Sequence, residues 1–304
     1  MPFCWQDFHS VREVETIMYP RTFFVAFLSG ALTLCSAAQD RMPSQPAQKL
    51  VADVIYNELH DRERDSFWEY RSIRVAGSQN IVREQVETAD GPIFRVLEDH
   101  GNPLDADQRR KEEERIRELV DRPGAMARVR QEHEQDEERL KKVMEMLPEA
   151  FLFEYDGPSE GDSVRIHFRP NPAFTPSSYE ARVVHNLVGT FTVNQRLKRM
   201  IDMDGQIDER VDFGYGILGH VEKGGTFEIH REQVSDTHWK TDLVDVHIQG
   251  KVLLIKNVTK DQRESRTDFK AVPHDITLAA ARELLDQAGS EKNVARLMRI
   301  RDGQ

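Results

Sequence analysis

Gly214-Tyr215-Gly216-Ile217-Leu218-Gly219 has the glycine spacing of a dinucleotide-binding turn. That chemistry needs a following helix whose N-terminus receives the pyrophosphate. Here His220-Val221-Glu222-Lys223-Gly224-Gly225 follows, an approach to a hairpin, so the glycines read as relief of crowding where a sheet bends. His133-Glu134-Gln135-Asp136-Glu137 begins like the H-E-x-x-H helix of a zinc protease, but Glu137 stands where the second histidine belongs. One missing ligand removes the geometry that holds the metal. His220, His230, His238 and His247 fall close together, yet alternation places His230 and His247 on polar faces. Neither a G-x-S-x-G elbow nor a phosphate loop occurs. Carboxylates are so abundant that no acid/base pair stands out. No catalytic residue, metal or cofactor is expected, and the chain reads as a non-enzyme.

The other chemistry available is apolar binding. Residues 211–258 alternate apolar and polar side chains, the period of strands that bury one face. Phe227 and Ile229 oppose Glu228 and His230, and Val244, Val246 and Ile248 oppose Asp245, His247 and Gln249. Breaks at Gly224-Gly225 and Gly250 separate the runs as hairpin connections would. A sheet with one apolar face can hold an apolar ligand, and Phe213, Tyr215, Phe227, Ile229, Val246 and Ile248 are the cavity-lining candidates. Trp68, Tyr70 and Trp239 belong to the same class of strand aromatics, most of them core. Packed core and open cavity share one sequence pattern, so both readings stand at this point.

The succession from Gly189 to Asn257 resembles the late strands of LolA-like proteins, a superfamily of lipoprotein-sorting carriers and regulatory relatives. The matching features are the turn at Asn194-Gln195, the VDFGYG block, the Gly-Gly hairpin, Trp239 opening a strand, and a last apolar strand ending near Lys256. The resemblance implies an α+β fold: a curved antiparallel half-barrel covered by helices. It also implies a carrier that holds acyl chains between sheet and helices.

Composition agrees with an exported, polar protein. Charged residues are 31% and hydrophobic ones 38%, and the formal charge of −11 argues against nucleic-acid binding, which needs a basic face. Met18–Arg21, the apolar run 22–34 and Ser36-Ala37-Ala38 read as a signal peptide with cleavage near Gln39, and translation is expected to start at Met18. The apolar run falls short of the ~20 residues a spanning helix needs, so no transmembrane span is expected in the mature chain. Both cysteines, Cys4 and Cys35, lie in or before this segment, leaving a thiol-free mature chain that suits an oxidising periplasm. Leu32-Thr33-Leu34 before Cys35 resembles a lipobox with a large residue at its last position; lipidation there would anchor the chain to the outer membrane.

Residues 1–38 are therefore set aside as extension and signal, and 39–304 are expected to form one domain. A helix is expected over 47–62, then strands over 67–75, 81–88 and 93–97. Residues 105–147 interrupt the strands as a charged helical hairpin, opened by an Asp105/Gln108 capping box and closed at Pro148. Its apolar stripe (Leu140, Val143, Met144, Leu147) is thin, so it is expected to project and pack lightly as a solvated arm held by charge pairs, with a lid or a contact for an envelope partner as the functional alternative. Strands over 151–155 and 164–168, a surface loop over 169–182, a strand over 183–188, and a helix over 277–287 ending before Gly289 complete the reading. The expected function is a periplasmic carrier of a lipid, lipoprotein or other apolar ligand. The rival is an envelope interaction or sensor module with a filled core.

Overall fold

The computed structural model describes residues 43–60, 66–122, 124–213, 219–252 and 260–302, with backbone alone for 251–252, 260 and 291–302. The segment expected to direct export, both cysteines and Tyr215 lie outside these residues. The fold is α+β. Strands β1 (Phe67–Ala76), β2 (Gln79–Val86), β3 (Ile93–Asp99) and β4 (Asn102–Pro103) follow helix α1 (Ala47–His60). Helices α2 (Ala106–Asp121) and α3 (Ala125–Ala150) lead into β5 (Phe151–Tyr155), β6 (Ser163–Pro170), α4 (Tyr179–Val184), β7 (Leu187–Asn194) and β8 (Arg199–Ile207). The chain continues through β9 (Val211–Phe213), β10 (Gly219–Val221), β11 (Thr226–Gln233), β12 (Trp239–Ile248), β13 (Gly250–Val252), β14 (Lys260–Val272) and α5 (Leu278–Asp302).

Eleven strands form one open antiparallel sheet in the order β4-β3-β2-β1-β14-β12-β11-β8-β7-β6-β5, and β13-β10-β9 form a small second sheet. Directly paired residues share a face. The register thus carries Phe191, Met203, Ile229, Val244, Glu264 and Arg74 across one face. On that face α1 buries Leu50, Val51, Val54 and Ile55, spaced at three and four residues, against Ile166, Phe168, Phe191 and Met203. The opposite face carries Val86 and Ile93, which pack with Met126 of α3 and Ala281 and Leu285 of α5. Each half of the sheet therefore has its own core, on its own side.

Helix α2 covers the β3 edge. Buried Glu112 accepts the Val96 N–H at 2.8 Å, and Arg115 donates to the Phe94 carbonyl at 2.6 Å while lying over its ring. An edge strand's open N–H and C=O groups are thereby satisfied. The capping box is present, with Asp105 and Gln108 exchanging side-chain and backbone bonds at 2.8 Å. Helix α3 runs from the second core at Met126 to the first at Leu147 and Ala150. Light packing holds for its middle, where 130–142 are exposed and Leu140 is 59% exposed, and fails at the ends.

Several boundaries differ from expectation. Helix α3 passes through Pro148; a missing N–H costs one bond in the last turn, and Phe151 N–H still reaches the Leu147 carbonyl. Val183 and Val184 are helical because Ser178 caps α4 by accepting the Ala181 N–H at 3.1 Å. Gly289 lies inside α5 at a place where a Cβ would stand 3.2 Å from Arg95 Cδ. Gly224-Gly225 links β10 to β11, strands of different sheets, and so makes no hairpin. The end expected near Lys256 lies outside the described residues. The last strand of the large sheet is β14, which the sequence reading passed over.

Gly189 and Gly205 sit opposite one another in β7 and β8. A Cβ at Gly189 would fall 2.0 Å from the Asp204 carbonyl oxygen, so these backbones approach more closely than any side chain permits. Gly189→Ala is expected to destabilise by about 1–3 kcal/mol, the cost of overpacking, read as a lower urea midpoint at unchanged m.

Candidate functional site

Four predicted site residues come together. Phe227 stands opposite Val246, Ile229 stands opposite Val244, and Ile248 lies two residues beyond Val246 on the same face. All four are half-buried, and Val244 completes the strip. Phe213 does not join them: it belongs to β9 of the small sheet and meets the Tyr179 ring edge-on at 5.1 Å. Phe227 rests against the α1 core with its ring over Gly205, where a Cβ would stand 2.9 Å from Cε1. Ile229, Val244, Val246 and Ile248 belong to neither core cluster. The described helices pack chiefly on β2, β3, β5, β8 and β9; α1 also reaches β11 through Glu58–Arg231 and Phe227, and Val272 at the end of β14 joins the second core. An apolar strip thus runs along the central strands, with none of the described helices packed along it.

Its two flanks are charged. On the β14 side, Val244 pairs with Glu264 and Glu264 with Arg74. Glu264 is buried and accepts from Arg266 at 3.0 Å and from Arg83 at 3.5 Å, while Arg83 also donates to Ser72 at 2.9 Å. Beyond them Gln85 donates to the Tyr70 hydroxyl at 2.5 Å, and burial pushes that hydroxyl up to about 12, so it stays protonated. On the α1 side, Glu58 bridges Arg231 of β11 and Arg199 of β8 and accepts the Met200 N–H at 3.0 Å. Arg231 also donates to the Trp239 carbonyl at 2.8 Å. Sequence reasoning missed both flanks, since their members meet only through strand register or, for Glu58, through the packing of α1 on the sheet.

The opposite face is acidic. Asp204, Glu228, Asp245 and Arg263 form one cross-strand row, beside a cleft of about 740 Å³ that His167, Arg169 and His247 also line. Arg263 donates to Asp245 at 2.8 Å, and His247 lies 2.9 Å from Asp245 and 2.6 Å from Asp261. His230 pairs with Asp242 at 2.7 Å. Among the described residues, no group of His, Cys, Asp and Glu is arranged to hold a metal ion. Burial, then the neighbouring Asp204 and Glu228, hold the Asp202 carboxyl above its ordinary range. A carboxylate raised in the folded state opposes folding when ionised, and the penalty fades as pH falls through its raised pKa. Asp202→Asn is therefore expected to raise the melting temperature at pH 7. The gain should fade as pH falls and vanish near about pH 3, below the ordinary aspartate pKa, where the wild-type carboxyl is mostly protonated folded and unfolded alike; an equal gain at both pH values would contradict the assignment.

Comparison with family models, with curated proteins and with solved structures finds no match to this chain. Among the described residues, no helix is long and apolar enough to cross a membrane.

Proposed function

We propose that the chain is a LolA-like, non-enzymatic carrier, exported to the periplasm, that holds a lipid, lipoprotein or other apolar ligand on the central strands of its sheet. The observation that carries this reading is the strip Ile229, Val244, Val246 and Ile248, half-buried and outside both cores. Apolar side chains in the middle of a wide sheet are ordinarily sealed by a packed layer. A concave half-barrel would turn the strip into a cleft, and the span of α3 supports that curvature. Met126 and Leu147 are 147 − 126 = 21 residues apart, roughly 32 Å along a helix, and they sit at opposite ends of the sheet. From β3 to β5 there are nine strand spacings, roughly 43 Å if the sheet lay flat. A helix shorter than a flat sheet of that width favours a bent or twisted one. The exposed stretch 130–142 of α3 favours a second role, docking an envelope partner through α2 and α3.

Ile248→Glu tests the carrier reading. A charge on an uncovered strip stays partly hydrated, so the melting temperature should fall modestly while binding of a fluorescent fatty acid is lost. In a packed core the same charge would cost several kcal/mol and the domain would not fold. A folded variant that binds like wild type would remove the site from this strip. Wild type that binds no probe would leave the interaction-module reading.

A further inference from the structure

We propose that the occupant of the strip is a single-chain amphiphile with an anionic head, a long-chain carboxylate whose head is held by Arg74, Arg83 and Arg266. This rests on the carrier reading and goes beyond it by assigning the ligand's chemistry. The lane is narrow: Ile229 of β11 and Val244, Val246 and Ile248 of β12 form it, outside both cores. From Val244 to Ile248 it is roughly 13 Å long, room for one acyl chain lying along the strands. On the next strand the chemistry changes at once, for Val244 and Val246 give way to Glu264 and Gln262.

The charges on that flank do not balance. Arg83 and Arg266 converge on one carboxylate, Glu264, and among the described residues Arg74 donates to the amide oxygen of Gln262 at 3.0 Å. Lys240 and Glu87 pair with each other at 3.3 Å nearby, and Tyr70 and Gln85 are neutral. Arg74, Arg83, Arg266 and Lys240 against Glu264 and Glu87 leave two positive charges among these side chains. Arg83 and Arg266 are partly buried beside apolar surface, where an anion offsets the cost of desolvating them, and exposed Arg74 adds its charge at the rim. A carboxylate matches the guanidinium fork with two hydrogen bonds. Arg74 lies two strands from Val244, roughly 10 Å, within reach of a head at the end of a chain seated on the strip.

The test uses the mature protein and three probes of one chain length, labelled at the methyl end: the fatty acid, its methyl ester and the alkylammonium. The acid should bind about tenfold tighter than the ester, with the cation weakest, because hydrogen bonds to charged groups exceed neutral ones by this order. Salt should narrow the gap. Arg74→Gln, at an exposed position, and Arg83→Gln, which leaves Glu264 with Arg266, should each weaken the acid several-fold and spare the ester. Melting temperatures check both variants, and if Arg83→Gln fails to fold, Arg74→Gln decides. Acid and ester bound alike would overturn the head assignment and leave the carrier role standing. A diacyl anionic phospholipid displacing the probe as well as free fatty acid would overturn the single-chain assignment. No binding of either acid or ester would overturn the carrier role, and this proposal with it.

Discussion

Replacing Glu58 with alanine should cost about 3–5 kcal/mol, the range for removing one partner of a buried ion pair. The Glu58 side chain is 3% exposed and serves two guanidiniums at once, Arg199 and Arg231. It also accepts the Met200 N–H, so α1 is tied to β8 by charge and by backbone. Alanine deprives two buried arginines of that carboxylate, and the arginines cannot give up their protons. Glu58→Gln should fall between wild type and alanine, since an amide oxygen can still accept from Met200. Urea unfolding of both variants measures the difference. A loss below 1 kcal/mol for alanine would show that α1 is held by Val51, Val54 and Ile55 alone.

Replacing 105–147 by a short Gly/Ser linker should abolish cooperative folding. Ile116 and Met126 are 1% and 5% exposed, and Leu147 is 7% exposed. Truncating one such side chain costs about 2–5 kcal/mol, so losing three approaches the whole stability of a domain. The deletion also strips Glu112 and Arg115 from the β3 edge. Charge changes confined to the exposed span 130–142 should cost only tenths of a kcal/mol per ion pair. Thermal unfolding distinguishes the two: a deletion that still melts in one sharp transition would make the helices an appendage.

Local signals gave the larger part of the fold. Leu50, Val51, Val54 and Ile55 at helical spacing, and Phe227 to Ile229 at strand spacing, each encode an element in their own few residues. The Asp105/Gln108 box does the same for the start of α2. β14 was invisible because KDQRESRTDFKAV is polar on both faces, with Gln262, Glu264 and Arg266 on one and Arg263, Ser265 and Thr267 on the other. No period separates two polar faces. Its neighbours β1 and β12 supply the order that the strand's own pattern lacks. The site divides the same way. Its apolar lane was legible from alternation, whereas Arg83 of β2 meets Glu264, and Arg74 of β1 meets Gln262, only through the register of strands far apart in the chain. Phe213 was misplaced because alternation says which face a residue takes and is silent about which sheet.

Mass spectrometry of organic extracts from protein purified without detergent tests the central claim most directly. Wild type should yield an amphiphile in near-stoichiometric amount, and folded Ile248→Glu, prepared alongside, should yield far less. An empty wild-type extract, or equal amounts from the two proteins, would contradict a ligand seated on the strip of β11 and β12.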